Sequence, residues 1–313
     1  MRMTLSSYGK SILSLAVLAV FSIAEAVAPR VHISSHGSDD GTGTDLQLDV
    51  VLTVEHLPAP LGLDTIKPRF SWHTQLRASA LNTAIPDADV VRGMQQVSYR
   101  LQVAGNETSL VSGEWLWDSG TVHSNASSLI EYGTYGGSSH ALTPGRLFFV
   151  RVGVTYSDHL TQAHTGDTAP VFSPAARFSV APTAVGGPGA GYRAKFIGLP
   201  QHPGADGPKF NQSLCPWLRK TFTLDVYDPA VDSALVAVAS IGFHELWVNG
   251  KKAAEDVLSP SVSDLARRVL VRTYDVSPLL KYGENVVGLW LSSGWAGSIL
   301  GGSCNLASVL MVY

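Results

Sequence analysis

The stretch Val97-Ser98-Tyr99-Arg100-Leu101-Gln102-Val103-Ala104 decides how the N-terminal half of this chain folds. Tyr99, Leu101 and Val103 alternate with Ser98, Arg100 and Gln102. A period of two is what a half-buried strand requires, and an amphipathic helix does not produce it. Similar short β-type runs recur on both sides with turn residues between them. They occupy residues 48–57 (LDVVLTVEHL), 69–76 (RFSWHTQL), 114–120 (EWLWDSG), 127–132 (SSLIEY), 146–157 (RLFFVRVGVTYS) and 176–180 (ARFSV). Seven strands at this spacing predict an immunoglobulin-like or fibronectin-III-like sandwich over 47–180, with residues 77–93 as a long polar loop.

The strand pattern stops at 181–191 (APTAVGGPGAG), a Pro/Gly/Ala linker. It resumes over 192–313 with LRKTFTLDV, SALVAVASIGFHELWV, RVLVRTYDV, NVVGLWLSS and ASVLMVY, a second, jelly-roll-like sandwich. Asn249-Gly250 predicts a type I′ hairpin turn, because both central residues of that turn need positive φ. Gly242 interrupts the long run before it and is expected to mark a bulge or bend. Ser277-Pro278-Leu279-Leu280 is the one hint of a helical turn in this half. The fold class is therefore all-β, two tandem sandwiches. The apolar ending ASVLMVY reads as a sheet edge awaiting continuation.

Composition agrees. The 313 residues include 22 basic and 25 acidic side chains, 15% charged, against a usual ~25%. A net charge of −3 supplies no basic face, which argues against nucleic acid as a partner. Thirty glycines and 17 prolines without a three-residue period exclude a collagen-like chain.

At the N-terminus, Arg2 and Lys10 precede the uncharged run from Ile12 to Ala24, and Ala24-Glu25-Ala26 follows. As a helix this run reaches about 20 Å, short of a hydrocarbon core of about 30 Å. Residues 1–26 read as a secretory signal cut before Val27, with an uncleaved signal anchor as the alternative. Residues 27–46 are a polar, glycine-punctuated leader. No later segment is long enough to span a membrane, so a secreted, extracellular chain is expected. In that compartment Cys215 and Cys304 read either as a disulfide or as two buried thiols. A bridge would close a loop of about 90 residues, worth roughly 4–5 kcal/mol in the chain-entropy model. Asn106, Asn125 and Asn211 each open an Asn-x-Ser/Thr acceptor sequence beside turn-like residues.

Chemical motifs are scarce. His244-Glu245 begins an HExxH-like string, but Val248 stands where the second histidine belongs, so no zinc site is expected. Gly187-x-Gly189-x-Gly191 opens no helix and is flexible spacing. Trp72, Trp117 and Trp290 lie inside strand patterns and are expected in the core. Trp247 and Trp295 flank turns and are candidates for exposure.

Pro60-Leu61-Gly62-Leu63-Asp64, Pro68-Arg69-Phe70-Ser71-Trp72, residues 92–104 and Leu116-Trp117-Asp118-Ser119-Gly120 resemble the N-terminal region of α-L-rhamnosidases, as does Phe149-Val150-Arg151-Val152. The second half resembles the next module of that family. It carries Gly242-Phe243-His244-Glu245-Leu246, Val248-Asn249-Gly250-Lys251-Lys252, Asp256-Val257-Leu258-Ser259-Pro260, Thr273-Tyr274-Asp275-Val276, Gly283-Glu284-Asn285 and Gly294-Trp295. The resemblance implies a secreted glycosidase that removes terminal α-L-rhamnose with inversion, through glutamates of a downstream helical barrel. No residue of this chain inherits those catalytic roles. It further implies rhamnose-bearing glycans as partners, and a carbohydrate site in the second module, sometimes assisted by calcium. Ser261-Val262, Leu265 and Ala296 stand where the family usually carries Gly-Trp and aromatics. The candidate site residues are Asp256, Asp264 and Arg268 as polar anchors and Trp295 as a stacking surface. The plainer alternative makes the two aspartates turn formers and Arg268 an ion-pair partner at a strand edge. Three functions stay open: the non-catalytic front of a rhamnosidase-like protein, a free-standing glycan-binding module, and a structural or adhesive sandwich pair.

Overall fold

The computed structural model describes residues 46–78, 95–157, 170–182, 194–198, 203–204, 207–208, 215–228, 232–265, 267–294 and 306–312. The predicted signal, nearly all of the leader and most of the linker lie outside these residues.

The first sandwich begins with β1 (Leu46–Val54) and β2 (Arg69–Ala78), which pair antiparallel along their whole length. Strand β2 therefore continues through Arg77 and Ala78, which the sequence reading assigned to a loop. Next come β3 (Gln95–Ala104), β4 (Trp117–Asp118), β5 (Ile130–Glu131), β6 (Leu147–Ser157), β7 (Val171–Phe172) and β8 (Ala176–Ser179). One sheet runs β1-β2-β5; the other runs β4-β3-β6-β7, with β8 also on β6. The expected strand 114–120 shrinks to two residues because the chain before it forms a short helix, α1 (Glu107–Ser112). Asn106 caps that helix, its Oδ1 accepting from Ser109 N–H, and Gly113 closes it at φ 95°.

The alternation read from 97–104 fills the core. Tyr99, Leu101 and Val103 face Phe148, Val150, Val152 and Val154 of β6, and this layer packs on Leu48 to Val54 of β1 and Phe70 and Trp72 of β2. Aromatic rings bridge the two sheets. Phe70 stacks on Trp117 with centroids 6.1 Å apart, Trp72 lies 4.9 Å from Tyr99, and Phe178 meets Phe70 at 5.9 Å. Trp72 and Trp117 are core residues, as expected.

A two-residue hairpin, β9 (Pro203–Gly204) and β10 (Gly207–Pro208), precedes the second sandwich. That sandwich contains β11 (Trp217–Leu224), β12 (Leu235–Ile241), β13 (Phe243–Val248), β14 (Lys251–Lys252), β15 (Val271–Asp275), β16 (Gly283–Ser292) and β17 (Leu306–Val312). Its sheets run β11-β16-β13-β14 and β15-β12-β17. A 3-10 turn at Ser277–Leu279 sits where the sequence hinted at one.

Gly242 does more than bend a strand. The run that reads as one long strand is two, β12 in one sheet and β13 in the other, and Gly242 is the corner between them. Its φ is 96°, and a Cβ there would lie 2.2 Å from the Ser292 carbonyl oxygen, so only glycine fits. Asn249 and Gly250 hold φ values of 50° and 80°, the I′ turn that joins β13 to β14. The turn is anchored from below. Asn249 Nδ2 donates to the Leu279 carbonyl and to Asn285 Oδ1, both at 2.8 Å, while Asn249 Oδ1 accepts from Val286 N–H at 2.9 Å. Fully buried Asn285 donates in turn to the carbonyls of Lys281 and Gly283.

The two cores share no residue: one spans 48–180, the other 224–291. The sandwiches nevertheless touch. Arg177 Nη1 meets Asp275 Oδ2 at 2.7 Å, and the backbone of Gly62 presses on Thr273. Beside this contact lies a cleft of ≈ 530 Å³ between Arg146 and Phe148 on one side and Tyr227 and Asp232 on the other.

Candidate functional site

Asp256, Asp264 and Arg268 all lie in the long connection between β14 and β15. The structure gives each a different neighbour. Asp256 is half-buried and pairs with Arg272 Nε at 3.4 Å. Asp264 pairs with Arg267 Nε at 3.3 Å, and its carbonyl accepts from the N–H groups of Arg267 and Arg268 at 2.9 Å. Its carbonyl thus closes a turn. Arg268 is exposed and precedes β15 instead of standing on it, and the ion-pair roles fall to Arg267 and Arg272. Trp295, Cys304 and Asn211 lie outside the described residues, and with Cys304 goes any pairing of the two cysteines. Cys215 is exposed just ahead of β11. Asn106 and Asn125 are both exposed outside strands.

Beneath this connection runs a polar network that the sequence reading missed. His244 is 4% exposed, on the inner face of β13. Its Nδ1 lies 2.7 Å from Ser240 Oγ and its Nε2 lies 2.9 Å from Tyr274 Oη. Ser240 uses its single hydroxyl proton on the Gly242 carbonyl at 3.0 Å. Nδ1 therefore carries the imidazole proton and donates to Ser240, while Nε2 accepts from the tyrosine. Burial holds the His244 pKa down to about 4; nearby Asp256 opposes that shift and Arg272 adds to it. The guanidinium of Arg272 lies 5.8 Å above the Tyr274 ring while pairing with Asp256. Asp256 is thus the surface end of a chain that reaches the buried histidine.

Such a network holds one loop in one place. Chemically it offers a neutral imidazole with both nitrogens occupied, and no nucleophile. Among the described residues no three His, Cys, Asp or Glu side chains converge as a metal site would require. Asp256 and Asp264, the carboxylates of the candidate site among the described residues, each face an arginine.

A second feature lies on the outer face of the β11-β16-β13 sheet. Register places Trp217 opposite Trp290 and Trp290 opposite Glu245. The two indoles lie with centroids 4.5 Å apart, and Trp217 is 69% and Trp290 37% exposed. The expectation that Trp290 belongs to the core is therefore wrong. Its neighbours in phase are Gly288 and Ser292, whereas Leu289 and Leu291 take the core face. Trp217 likewise shares the phase of Arg219, Thr221 and Thr223, so the signal was present in the alternation.

The fold defines a class: a pair of tandem β-sandwiches, with no constellation of reactive groups among the described residues. Comparison with known proteins narrows the class. Residues 50–170 match the family model of the Rha78A-like N-terminal immunoglobulin domain, and residues 229–306 match that of the alpha-L-rhamnosidase N-terminal domain. The chain is 28% identical over 245 residues to an alpha-L-rhamnosidase of Formosa agariphila, covering 77% of this chain and 23% of that protein. The fold is similar to that of the alpha-L-rhamnosidase from Dictyoglumus thermophilum, with a TM-score of 0.58 at 24% identity over 83% of this chain and 26% of that one. The native enzyme from Aspergillus terreus gives 0.56 at 22% identity, over 84% and 27% of the respective chains. The chain is homologous to the N-terminal region of α-L-rhamnosidases and carries that region's two β-sandwich domains. It spans about a quarter of the length of these relatives.

Proposed function

We propose that this chain forms the non-catalytic N-terminal region of a secreted α-L-rhamnosidase-like glycoside hydrolase and supports recognition of α-L-rhamnosides there. The observation that carries the reading is the ordered match of both sandwiches to the two N-terminal domains of that family. Among the described residues two carboxyls have shifted pKa values, both downward. A glycosidase acid needs a carboxyl whose pKa is raised. Glu55 is instead held low by its hydrogen bonds from Arg69. Asp118, though burial pushes it up, is also held low, by the hydrogen bond from Arg100. In this reading Asp256, Asp264 and Arg268 are the polar anchors of the second sandwich, and Trp295 supplies a stacking surface. The signal-like composition of residues 1–26 and the exposed acceptor asparagines at 106 and 125 support passage through a secretory pathway.

Two measurements test it. The purified chain is expected to show no turnover of an aryl α-L-rhamnoside; activity that survives rigorous purification overturns the non-catalytic assignment. Calorimetric titration with L-rhamnose, with and without calcium, is expected to give heat at millimolar sugar that Asp256→Ala abolishes. Silence under both conditions overturns the recognition role and leaves the structural or adhesive reading. A free-standing binding module without hydrolase activity is the second reading, and the exposed tryptophan pair favours it.

A further inference from the structure

The outer face of the β11-β16-β13 sheet carries aromatic surface where a solvated sheet face ordinarily carries polar side chains. Trp217 and Trp290 form one ledge. Beside it, on the next rung, Gly288 lies between Arg219 and Trp247. A Cβ at Gly288 would touch Trp247 Cβ at 3.6 Å, so the glycine keeps the floor of the face low between Arg219 and Trp247, next to the ledge. The far wall is polar. Glu245 accepts from Lys252 Nζ at 2.8 Å and from Trp247 Nε1 at 3.3 Å, and both ends of the Lys252–Glu245 pair are partly sheltered.

From this geometry we infer that the sheet face is a glycan-binding platform, in which pyranose rings of an oligosaccharide stack on Trp217 and Trp290 and reach toward Glu245 and Lys252 with their hydroxyls. A pyranose presents an apolar C–H face and a rim of hydroxyls, and this surface offers the complement of both within a few ångströms. The charges argue for a sugar over a protein partner. Protein interface cores are enriched in Trp and Arg but depleted in Lys and Glu, so the discriminating charges on this face are Glu245 and Lys252. Here the large exposed apolar groups are tryptophans, and Arg219, Glu245 and Lys252 stand among them. Neighbouring strands lie about 4.8 Å apart and alternate residues about 6.8 Å along a strand, so ledge, floor and polar wall together span more than one sugar ring. The platform suits internal residues of a glycan chain. It is separate from the β14–β15 connection and does not depend on the rhamnose reading.

The test uses the full chain in affinity electrophoresis through gels containing hydroxyethylcellulose, xylan or a rhamnose-bearing pectic polysaccharide, with tryptophan fluorescence titrations against the retarding polymer. Retardation is expected in at least one gel. Trp217→Ala and Trp290→Ala should each weaken it at least tenfold, and the urea-unfolding midpoint should remain close to wild type because both rings stand outside the core. Asp256→Ala should leave retardation in hydroxyethylcellulose or xylan intact while removing any response to free L-rhamnose, which separates failure of this platform from failure of the rhamnoside site. No retardation in any gel, or retardation unaffected by both tryptophan variants, overturns the inference. So does sedimentation showing that the wild-type chain is a dimer that Trp217→Ala splits, since the face would then be covered by a second copy.

Discussion

The two sandwiches differ in where they place their tryptophans and in which polar groups they bury. The first buries two of its three tryptophans: Trp72 and Trp117 join Phe70, Tyr99 and Phe178 in one aromatic seam between the sheets. Its charged groups stay on the outside, as where Arg100 forks onto Asp118 and lies 5.1 Å from the Trp115 ring. The second buries His244 and Asn285 and turns Trp217 and Trp290 toward solvent. An aromatic core resists deformation because large rings fill space from both sheets at once. A core that contains a histidine and an asparagine fixes loops instead, because each buried polar atom has to keep its partner. The first sandwich is built as a rigid support; the second is built to hold surfaces in place.

Truncating a tryptophan in each half breaks or sharpens this contrast most strongly. Trp117→Ala should destabilise the first sandwich by about 3–5 kcal/mol. Trp217→Ala should stay within about 0.5 kcal/mol of wild type. Urea unfolding followed by circular dichroism reads both, and equal losses would refute the division of roles.

Acid probes the polar core. His244 titrates near 6.5 in the unfolded chain and near 4 in the folded one, so the unfolded state takes up the proton first. Stability from this group is complete above pH 6.5 and declines as pH falls toward 4, by about 3 kcal/mol. His244→Gln should flatten the acid limb of the second sandwich's unfolding curve. A limb unchanged in that variant would show that the histidine is not the sensor.

The smallest effect is expected where the halves meet. Arg177→Ala removes a bridge whose arginine is half exposed, a loss of less than about 1 kcal/mol that should fade in high salt. Asp275→Ala should exceed it, because Asp275 Oδ1 also accepts from Ser277 N–H and Oγ–H. A double-mutant cycle measures the difference.

Much of this was readable beforehand at the level of single strands. Alternation marked Leu101 and Val103 as core, and Asn249-Gly250 marked its hairpin. The same alternation put Trp217 and Trp290 on the solvent side. At Trp290 the phase of the strand prevails over the hydrophobicity of the side chain. The candidate site was less legible. Asp256 was visible as a carboxylate, but its partner Arg272 and the histidine beneath belong to strands that only the folded sheets bring together. Gly242 read as an interruption, and its role as a corner between two sheets depends on the position of Ser292.

The sequence by itself determined which side chains face inward along each strand, because a strand's side-chain period is two whatever it pairs with. It determined the hairpin at Asn249-Gly250 for the same local reason, since positive φ is a property of the residues in the turn. The tertiary structure alone decided which strands became neighbours, because that choice is a competition among distant segments closing loops of different length. Neighbourhood, in turn, set Trp217 against Trp290, His244 against Tyr274, and Arg177 against Asp275 across the two sandwiches.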